Sequence, residues 1–489
     1  MKVSGTKISA IWERMSFWLW LALVICLPVS SLPIFAKILH TSSVAPASGL
    51  IVLILAVVWL PVYILRGGRF PFQVKIAVFF ALFCVLTMAL AFFRESPYYP
   101  GSSLTSNLIE ALATLGMGIL FYIVSTGMPD NDKKISLTLK AVNIGGAIML
   151  AWSLAQFFIW LAAHGYPHWA RDFQRAFSTT ILFAKRTTGF ASEPSWLAHQ
   201  LNLVFLPYWL AATIKKTSVY KIRLWFFSIE NIFLGLGLAV LFLTFSRGGL
   251  GAFMLVLAFL FILLNVKLVR WLLTRWHVKR RALVSTITAC TVFLLYLGIG
   301  LLGLFALSKI DPRMETVFQF NAESENPLMK YADNLQFGER VAYWQTGWRI
   351  FNDYPIAGVG INYSGAYFPE YLPEYGWQLV ETKRLLFGTN HALNIKNLWA
   401  RLLAETGIIG FSLFLVFLLA GLITSIDLVK RTVQQQAMIG WMGIFMLVAF
   451  IIEGFSVDSL ALPYYWFTLG LVAATWRWSD TPKRRLVNG

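Results

Sequence analysis

The sequence predicts an all-α polytopic membrane protein, and three observations lead to this fold class. Of its 489 residues, 58% are hydrophobic and only 13% are charged, whereas soluble proteins carry about 25% charged residues. The mean hydropathy is +0.66. Long apolar runs also recur along the chain, and the first of them lacks a small-residue cleavage site, so we expect it to remain as a membrane span.

Twelve apolar runs are long enough for transmembrane helices, which need about 20 residues each. The predicted spans cover residues 16–36, 47–65, 71–93, 105–126, 137–163, 195–214, 224–246, 248–268, 283–308, 406–426, 437–456 and 462–478. Three regions follow from this pattern. They are residues 1–308 with nine spans and a polar segment at 164–194, a large polar loop at 309–396, and residues 397–489 with three spans and a tail.

Basic residues predict the orientation of these spans, because Lys and Arg accumulate in cytoplasmic loops. Most of the 41 basic residues lie in or beside segments that are cytoplasmic if the N-terminus is inside. Both termini are then cytoplasmic, and segments 164–194 and 309–396 lie outside. Since this topology accounts for most of the formal charge of +18, we expect no nucleic-acid partner.

Chemistry is expected at the outer face, where the large polar segments lie, and this limits the source of energy. ATP and nucleotide sugars are cytoplasmic, and the sequence has no phosphate-binding loop of the P-loop type. One substrate class that fits is a lipid-linked pyrophosphate sugar, because its glycosyl bond is already activated. Binding two phosphates requires cations at the membrane surface, and arginine binds phosphate in a bidentate manner better than lysine does.

One arginine, Arg247, stands between two apolar runs in "FLTFSRGGLGAFML", residues 242–255. A guanidinium is costly in hydrocarbon, but the predicted topology puts this turn at the outer face. Gly248 and Gly249 are expected to allow a tight reversal there, since glycine tolerates positive φ. Arg247 is interpreted as a phosphate clamp, and the alternative is an arginine whose side chain extends to the membrane interface.

Two further arginines are predicted at the same face. Arg186, in "AKRTTGFASEPSW", precedes Glu193 at the start of the sixth span, and the two form either a binding pocket or a simple ion pair. Arg340 begins a helix in the large loop that ends at Pro355. The apolar stripe of this helix is expected to pack against the membrane surface, and it consists of Val341, Trp344, Trp348 and Phe351.

His391, shortly before the tenth span, is the last outer candidate. It could deprotonate a sugar hydroxyl or bond a phosphate, or it could simply cap a helix. Glu405 and Gly407 are interpreted as a helix terminus or a packing element. The histidines His164, His168 and His199 have no other candidate metal ligands at a suitable spacing in the sequence, so neither a metal site nor a cofactor is predicted.

Three motifs occur in one order: "TFSRGG", "GERVAYWQTGWRIF…PIAGVG" and "NHALNIKNLWARLLAETGIIGF". Together they resemble the signature of the O-antigen ligase and polymerase superfamily, over roughly residues 180–425. The resemblance implies a GT-C-like fold in the bacterial inner membrane and a metal-independent inverting glycosyltransferase that uses an undecaprenyl-diphosphate-linked glycan. It also implies that Arg247 and Arg340 bind the diphosphate leaving group, that His391 orients or deprotonates the acceptor or contacts phosphate, and that Arg186 contributes nearby.

The superfamily leaves the reaction open. A polymerase joins lipid-linked repeats and implies a chain-length regulator as a partner, a ligase transfers the glycan to lipid A-core, and a protein O-oligosaccharyltransferase is a third branch. "RTTGFASEPSW" favours a polymerase, and segments 320–335 and 366–388 are expected to set acceptor specificity. A contrasting class is a twelve-span transporter, in which intramembrane carboxylates mark a proton path; the candidates are Glu110, Glu230 and Glu453.

Overall fold

The computed structural model describes residues 2–38, 44–94, 97, 104–275, 284–291, 293–295, 298, 302, 337–388 and 394–487. Within them, seven helices are long and apolar enough to cross a membrane: Ala47–Leu65, Phe72–Ala91, Thr105–Gly127, Asp132–Ala163, Arg247–Trp271, Leu398–Val429 and Gln434–Glu453. The predicted fold class, an all-α polytopic membrane protein, is confirmed. The number of twelve spans and the GT-C-like arrangement stay predictions, and half of the ninth predicted span lies outside the described residues.

The helices follow one another with short connections over the first half of the chain. They are α1 (Lys2–Ile25), α2 (Pro33–Ile38), α3 (Ala47–Val58), α4 (Leu60–Leu65), α5 (Phe72–Ala91), α6 (Leu104–Gly127), α7 (Asp132–Ala163), α8 (His168–Phe177), α9 (Pro194–Gln200), α10 (Leu206–Lys215), α11 (Ile229–Leu243) and α12 (Arg247–Arg275). A further apolar helical segment, Val284–Leu295, is described in part.

The second half contains the large loop and the last helices. They are α13 (Gly338–Asp353), a 3₁₀ turn (Ser364–Tyr367), α14 (Phe368–Tyr371), a second 3₁₀ turn (Glu374–Gln378), α15 (Val380–Gly388), α16 (Leu398–Val429), α17 (Gln434–Glu453) and α18 (Tyr464–Val487). The described part of the large loop therefore contains several short helices in addition to the predicted helix that begins near Arg340. A separate apolar core around Tyr343 and Phe368 holds these helices together.

The sixth predicted span is interrupted by a π-helical turn, Leu201–Phe205, between α9 and α10. Pro207 lies in the first turn of α10 and has no N–H to donate to the carbonyl of Leu203. The hydroxyl of Thr468 in α18 donates to that carbonyl instead, at 2.7 Å. A backbone acceptor deep in the bundle is thus satisfied by a neighbouring helix, as a membrane interior requires.

The seventh predicted span, residues 224–246, is wrong at its start. Its first residues form a two-stranded antiparallel hairpin, Arg223–Leu224 paired with Phe227–Ser228, and α11 begins only at Ile229. Ser228 caps this helix by accepting a hydrogen bond from the backbone N–H of Asn231. The hydrophobicity of residues 224–227 was predictable, but their backbone conformation was not.

The motifs "PIAGVG" and "ETGIIG" interlock. Gly407, with a φ of 62°, kinks α16, and the backbone N–H groups of Val359 and Gly360 bond the carbonyls of Ala404 and Glu405 at 2.9 Å. A Cβ on Gly407 would stand 2.3 Å from the carbonyl carbon of Ile356. The interpretation of Glu405 and Gly407 as a packing element agrees with this geometry.

The helix predicted to start near Arg340 and to end at Pro355 is α13. Its protein-facing side differs from the predicted apolar stripe and consists of Gly338, Ala342, Tyr343, Thr346, Gly347 and Ile350. Trp348 of the predicted stripe is 54% exposed. The small residues Ala342 and Gly347 let α13 approach its neighbours closely, and a Cβ on Gly347 would stand 3.4 Å from the carbonyl oxygen of Ala400 in α16.

We expect Gly407→Ala to lower the free energy of unfolding by about 1–3 kcal/mol or more, because a Cβ there meets backbone and the residue needs a positive φ. The measurement is thermal unfolding of the purified protein in detergent. Gly235→Ala is the matched control, since a Cβ added to this helical glycine would have nothing within 4 Å and alanine favours the helix. Equal unfolding temperatures for the two variants would contradict the interlock.

Candidate active site

Arg247 opens α12 directly after a sharp reversal of the chain. The reversal is made by Phe245, whose φ is 46°, and not by Gly248 or Gly249, which are helical without positive φ. The expectation that these two glycines form the turn is therefore wrong. Ser246 accepts a hydrogen bond from the N–H of Gly249 at 3.2 Å and so caps the helix.

The two glycines are needed for close packing. A Cβ on Gly248 would stand 2.5 Å from the hydroxyl oxygen of Ser456, and one on Gly249 would stand 2.3 Å from the Cβ of Ala198. The first turn of α12 therefore touches both α9 and the segment that follows α17. This contact fixes the position of the backbone that carries Arg247.

Arg186 is tied to the same reversal. Its Nε donates to the carbonyl oxygen of Thr244 at 2.9 Å, and the N–H of Thr187 donates to the carbonyl of Leu243 at 3.0 Å. Arg186 is thus bonded three residues before Arg247. Glu193 is exposed at the start of α9, and its carboxylate accepts a hydrogen bond from Ser195 at 3.0 Å.

Arg340 reaches the same place from the large loop. Its Nη1 lies 3.4 Å from the carbonyl oxygen of Ser456 and 3.5 Å from that of Lys396. Its guanidinium lies 5.8 Å from the ring centroid of Phe337. Because Ser456 also faces Gly248, the structure brings Arg186, Arg247 and Arg340 to one end of the bundle, while His391 lies outside the described residues.

A buried polar cluster lies beneath this group of arginines. His199 Nδ1 is 3.0 Å from one carboxylate oxygen of Glu453, and the amide nitrogen of Asn202 donates to the other at 2.6 Å. The same amide nitrogen donates to the carbonyl of Gly249 at 2.8 Å. All three side chains are 2% exposed or less, so they join α9, α12 and α17 directly below the reversal.

A second buried cluster holds the segment after α17 from its other side. Arg401 bonds Glu405 at 3.1 Å and Asp458 at 3.2 Å, and its Nη2 donates to Asn362 at 2.8 Å. Ser364 completes the cluster by donating to Glu405 at 2.7 Å. Glu405 is therefore committed to structural bonds and is not placed to act as a general base.

The residues of these two clusters are ones that sequence reasoning misses or interprets otherwise. His199 lacks metal-ligand company along the chain, and Glu453 is a candidate for a proton path. In the structure Glu453 and Glu230 lie at opposite ends of the bundle, separated by the length of α11, and Glu110 is exposed. The available signal was a histidine, an asparagine and a glutamate within apolar helices, and only packing could pair them.

We expect Glu453→Ala to lower the free energy of unfolding by about 2–4 kcal/mol, since it leaves His199 and Asn202 buried without their acceptor. Thermal unfolding in detergent measures the effect, with Glu110→Ala at an exposed carboxylate as the control. In a double-mutant cycle, Asn202→Ala should add little to Glu453→Ala because the two side chains share one bond. Full additivity would show that the cluster does not act as a unit.

One part of the chain matches the model of a known protein family. Residues 232–415 match the model of a family described as O-antigen ligase, and no curated protein matches the chain. The matched range contains Arg247, Arg340 and His391, and it supports a function of the O-antigen ligase or polymerase type without distinguishing between them. This match over residues 232–415 supports the resemblance to the O-antigen ligase and polymerase superfamily that the motifs predicted.

Proposed function

We propose that the protein is a membrane glycosyltransferase that transfers an undecaprenyl-diphosphate-linked glycan to a glycan acceptor, as an O-antigen or exopolysaccharide polymerase. The observation that carries the proposal is the meeting of Arg186, Arg247 and Arg340 around the reversal before α12 and the carbonyl of Ser456. These arginines come from three separate segments. Their convergence provides the charge that a diphosphate requires.

The position of Arg247 suits an anionic leaving group in a second way. It is the first residue of a helix of 29 residues, and the dipole of a helix favours negative charge at its N-terminus. In the proposed reaction an acceptor hydroxyl attacks the anomeric carbon, and the bond from that carbon to the diphosphate oxygen breaks. Arg247 and Arg340 stabilise the negative charge that develops on the departing diphosphate.

The remaining roles are assigned to His391, Arg186 and Glu193. His391 takes the proton of the acceptor hydroxyl or bonds a phosphate oxygen, and Arg186 and Glu193 contact the substrate beside the diphosphate. Neither a metal ion nor a cofactor is invoked, because the leaving group is activated and the charge is supplied by guanidinium groups. Direct attack by the acceptor inverts the configuration at the anomeric carbon.

We place the site at the periplasmic face of the bacterial inner membrane, with both termini in the cytoplasm. The opposite end of the bundle carries many basic residues, among them Lys134, Lys216, Arg431 and Arg477, which favours that end as cytoplasmic. In this arrangement the lipid bilayer, the lipid-linked donor and, for a polymerase, a chain-length regulator are the partners. Residues 309–396 would form the periplasmic loop, with segments 320–335 and 366–388 selecting the acceptor.

A ligase that transfers the glycan to lipid A-core is the second candidate, because the matched family model is described as O-antigen ligase. It would use the same arginines on the same donor. The two reactions differ only in the acceptor. The surface glycan of a deletion strain separates them.

We expect a deletion strain to show single repeats attached to lipid A-core if the protein is an O-antigen polymerase, because ligation continues without chain growth. Full-length glycan that accumulates on the undecaprenyl carrier would instead identify a ligase. The measurement is electrophoresis of the lipopolysaccharide together with analysis of the carrier-linked glycan. Unchanged glycan in both pools would contradict both candidates.

We expect Arg247→Ala and Arg340→Ala each to lower the rate of glycan transfer by about 100-fold or more, since each removes charge stabilisation in the transition state. His391→Ala should also lose transfer. Arg247→Lys should recover little activity, because lysine cannot make a bidentate phosphate contact. Transfer is measured in membranes that contain equal amounts of each variant.

The matched control is Arg349→Ala. Arg349 lies in α13 like Arg340, but it is exposed and donates to the carbonyl of Tyr371. Its loss should leave transfer nearly unchanged. Normal activity of Arg247→Ala, or an equal loss in Arg349→Ala, would remove the diphosphate site from this place.

A further inference from the structure

A hairpin with exposed aromatic rings lies at the opposite end of the bundle from Arg247. It comprises residues 216–228 and connects α10 to α11, and we call it the basic–aromatic hairpin. Its strands pair Arg223 with Ser228 and Leu224 with Phe227. It is separated from the candidate active site by the length of α11, so its function is independent of the proposed reaction.

The apolar side chains of this hairpin face outward. Trp225 is 85% exposed and Phe226 is 81% exposed, and their rings stack with centroids 5.7 Å apart. Ile222, Leu224 and Phe227 are exposed as well. Trp225 also has a φ of 61°, a conformation that is costly for a bulky residue, yet the turn holds its ring away from the protein. A surface of this kind is unstable in water.

The backbone of the hairpin cannot lie in the hydrocarbon core of the bilayer. Two short strands leave the N–H and C=O groups of both outer edges without strand partners, and such groups require water or another polar environment. The aromatic rings, in contrast, are more stable in an apolar environment than in water. The boundary between lipid headgroups and acyl chains satisfies both, and tryptophan is enriched there.

Charge identifies the chemistry of the surface that the hairpin meets. The sequence has no acidic residue between Glu193 and Glu230, and Lys216, Lys221 and Arg223 are exposed. Glu230 is buried and accepts hydrogen bonds from Tyr208 and Asn143. It is therefore directed into the bundle. The exposed cations beside the aromatic rings complement phosphate groups of anionic lipids.

We propose that the basic–aromatic hairpin lies in the headgroup region of the leaflet at this end of the bundle and binds anionic phospholipids. Trp225 and Phe226 insert their rings among the uppermost acyl-chain segments. Lys216, Lys221 and Arg223 bind the phosphates around them. The hairpin thereby sets the depth of α11, whose 15 residues extend about 22 Å and are shorter than the roughly 30 Å hydrocarbon core.

The depth of the hairpin in the bilayer is tested on the full chain in nanodiscs of phosphatidylcholine and phosphatidylglycerol. Trp225→Cys is combined with replacement of Cys26, Cys84 and Cys290 by Ala, and the new thiol carries an environment-sensitive fluorophore. Nitroxide lipids labelled at the headgroup should quench it several-fold more strongly than lipids labelled deep in the acyl chain or a water-soluble nitroxide. Glu370→Cys, at an exposed position of the large loop, is the control and should respond to the water-soluble nitroxide.

Lipid selectivity is tested with the native cysteines in place, so it does not depend on the folding of the cysteine-free chain. Native mass spectrometry compares phosphatidylglycerol retained by the wild type with that retained by Lys216→Gln, Lys221→Gln and Arg223→Gln combined. Each charge removed is expected to lower the affinity about fivefold. The control variant replaces Lys185, Lys383 and Arg384 by Gln. These residues are exposed outside the hairpin, so this variant should retain as much phosphatidylglycerol as the wild type.

Two results would overturn the proposal. One is quenching at position 225 by the water-soluble nitroxide as strong as at position 370, which would leave the surface for a protein partner or a second copy. The other is equal phosphatidylglycerol retention by the hairpin variant and the wild type.

Discussion

The buried carboxylate of Glu453 is the group on which the end of the bundle that carries Arg247 depends. An ionised or partly charged group in the interior of a bundle is unfavourable unless its oxygens are bonded, and here His199 and Asn202 supply the bonds. Asn202 also holds the carbonyl of Gly249. One carboxylate thus fixes α9, α12 and α17 relative to each other, and with them the reversal that carries Arg247.

Close contacts at glycine residues also fix the positions of the helices at this end of the bundle. Gly248 and Gly249 leave no room for side chains between α12 and its neighbours, and Gly358 and Gly407 do the same between the large loop and α16. The segment after α17 lies between these two contacts. It bonds Arg340 through the carbonyl of Ser456 and Arg401 through Asp458. A short connection therefore transmits the position of the large loop to the start of α12.

The requirement that buried polar groups be hydrogen-bonded also explains where the helices can be irregular. The π turn before Pro207 is tolerated because Thr468 satisfies the carbonyl that proline leaves free. The reversal at Phe245 is tolerated because Ser246 caps the next helix. In both places an adjacent hydroxyl replaces a lost backbone bond. The polar groups at this end of the bundle stabilise an irregular backbone, and that backbone carries Arg186 and Arg247.

The sequence by itself determined the membrane class, the position of most long helices, the helix that begins near Arg340 and the resemblance to the superfamily that the family match supports. These features depend on runs of apolar residues and on ordered local motifs, which are written along the chain. It also placed Arg186, Arg247 and Arg340 on one predicted face, because alternating spans return to the same side. The buried contacts beneath these arginines were not predictable, since no periodicity in the sequence relates His199 to Glu453.

Tertiary structure alone decided three matters. It moved the tight turn from the glycines to Phe245, because Gly248 and Gly249 are needed for contact with Ser456 and Ala198. It showed that residues 224–228 form a hairpin and not the start of a span, since hydrophobicity alone does not distinguish an apolar helix from an apolar loop. It assigned Glu405 and Glu453 to structural bonds, because the partners of a buried carboxylate come from helices that are distant in sequence and adjacent only after folding.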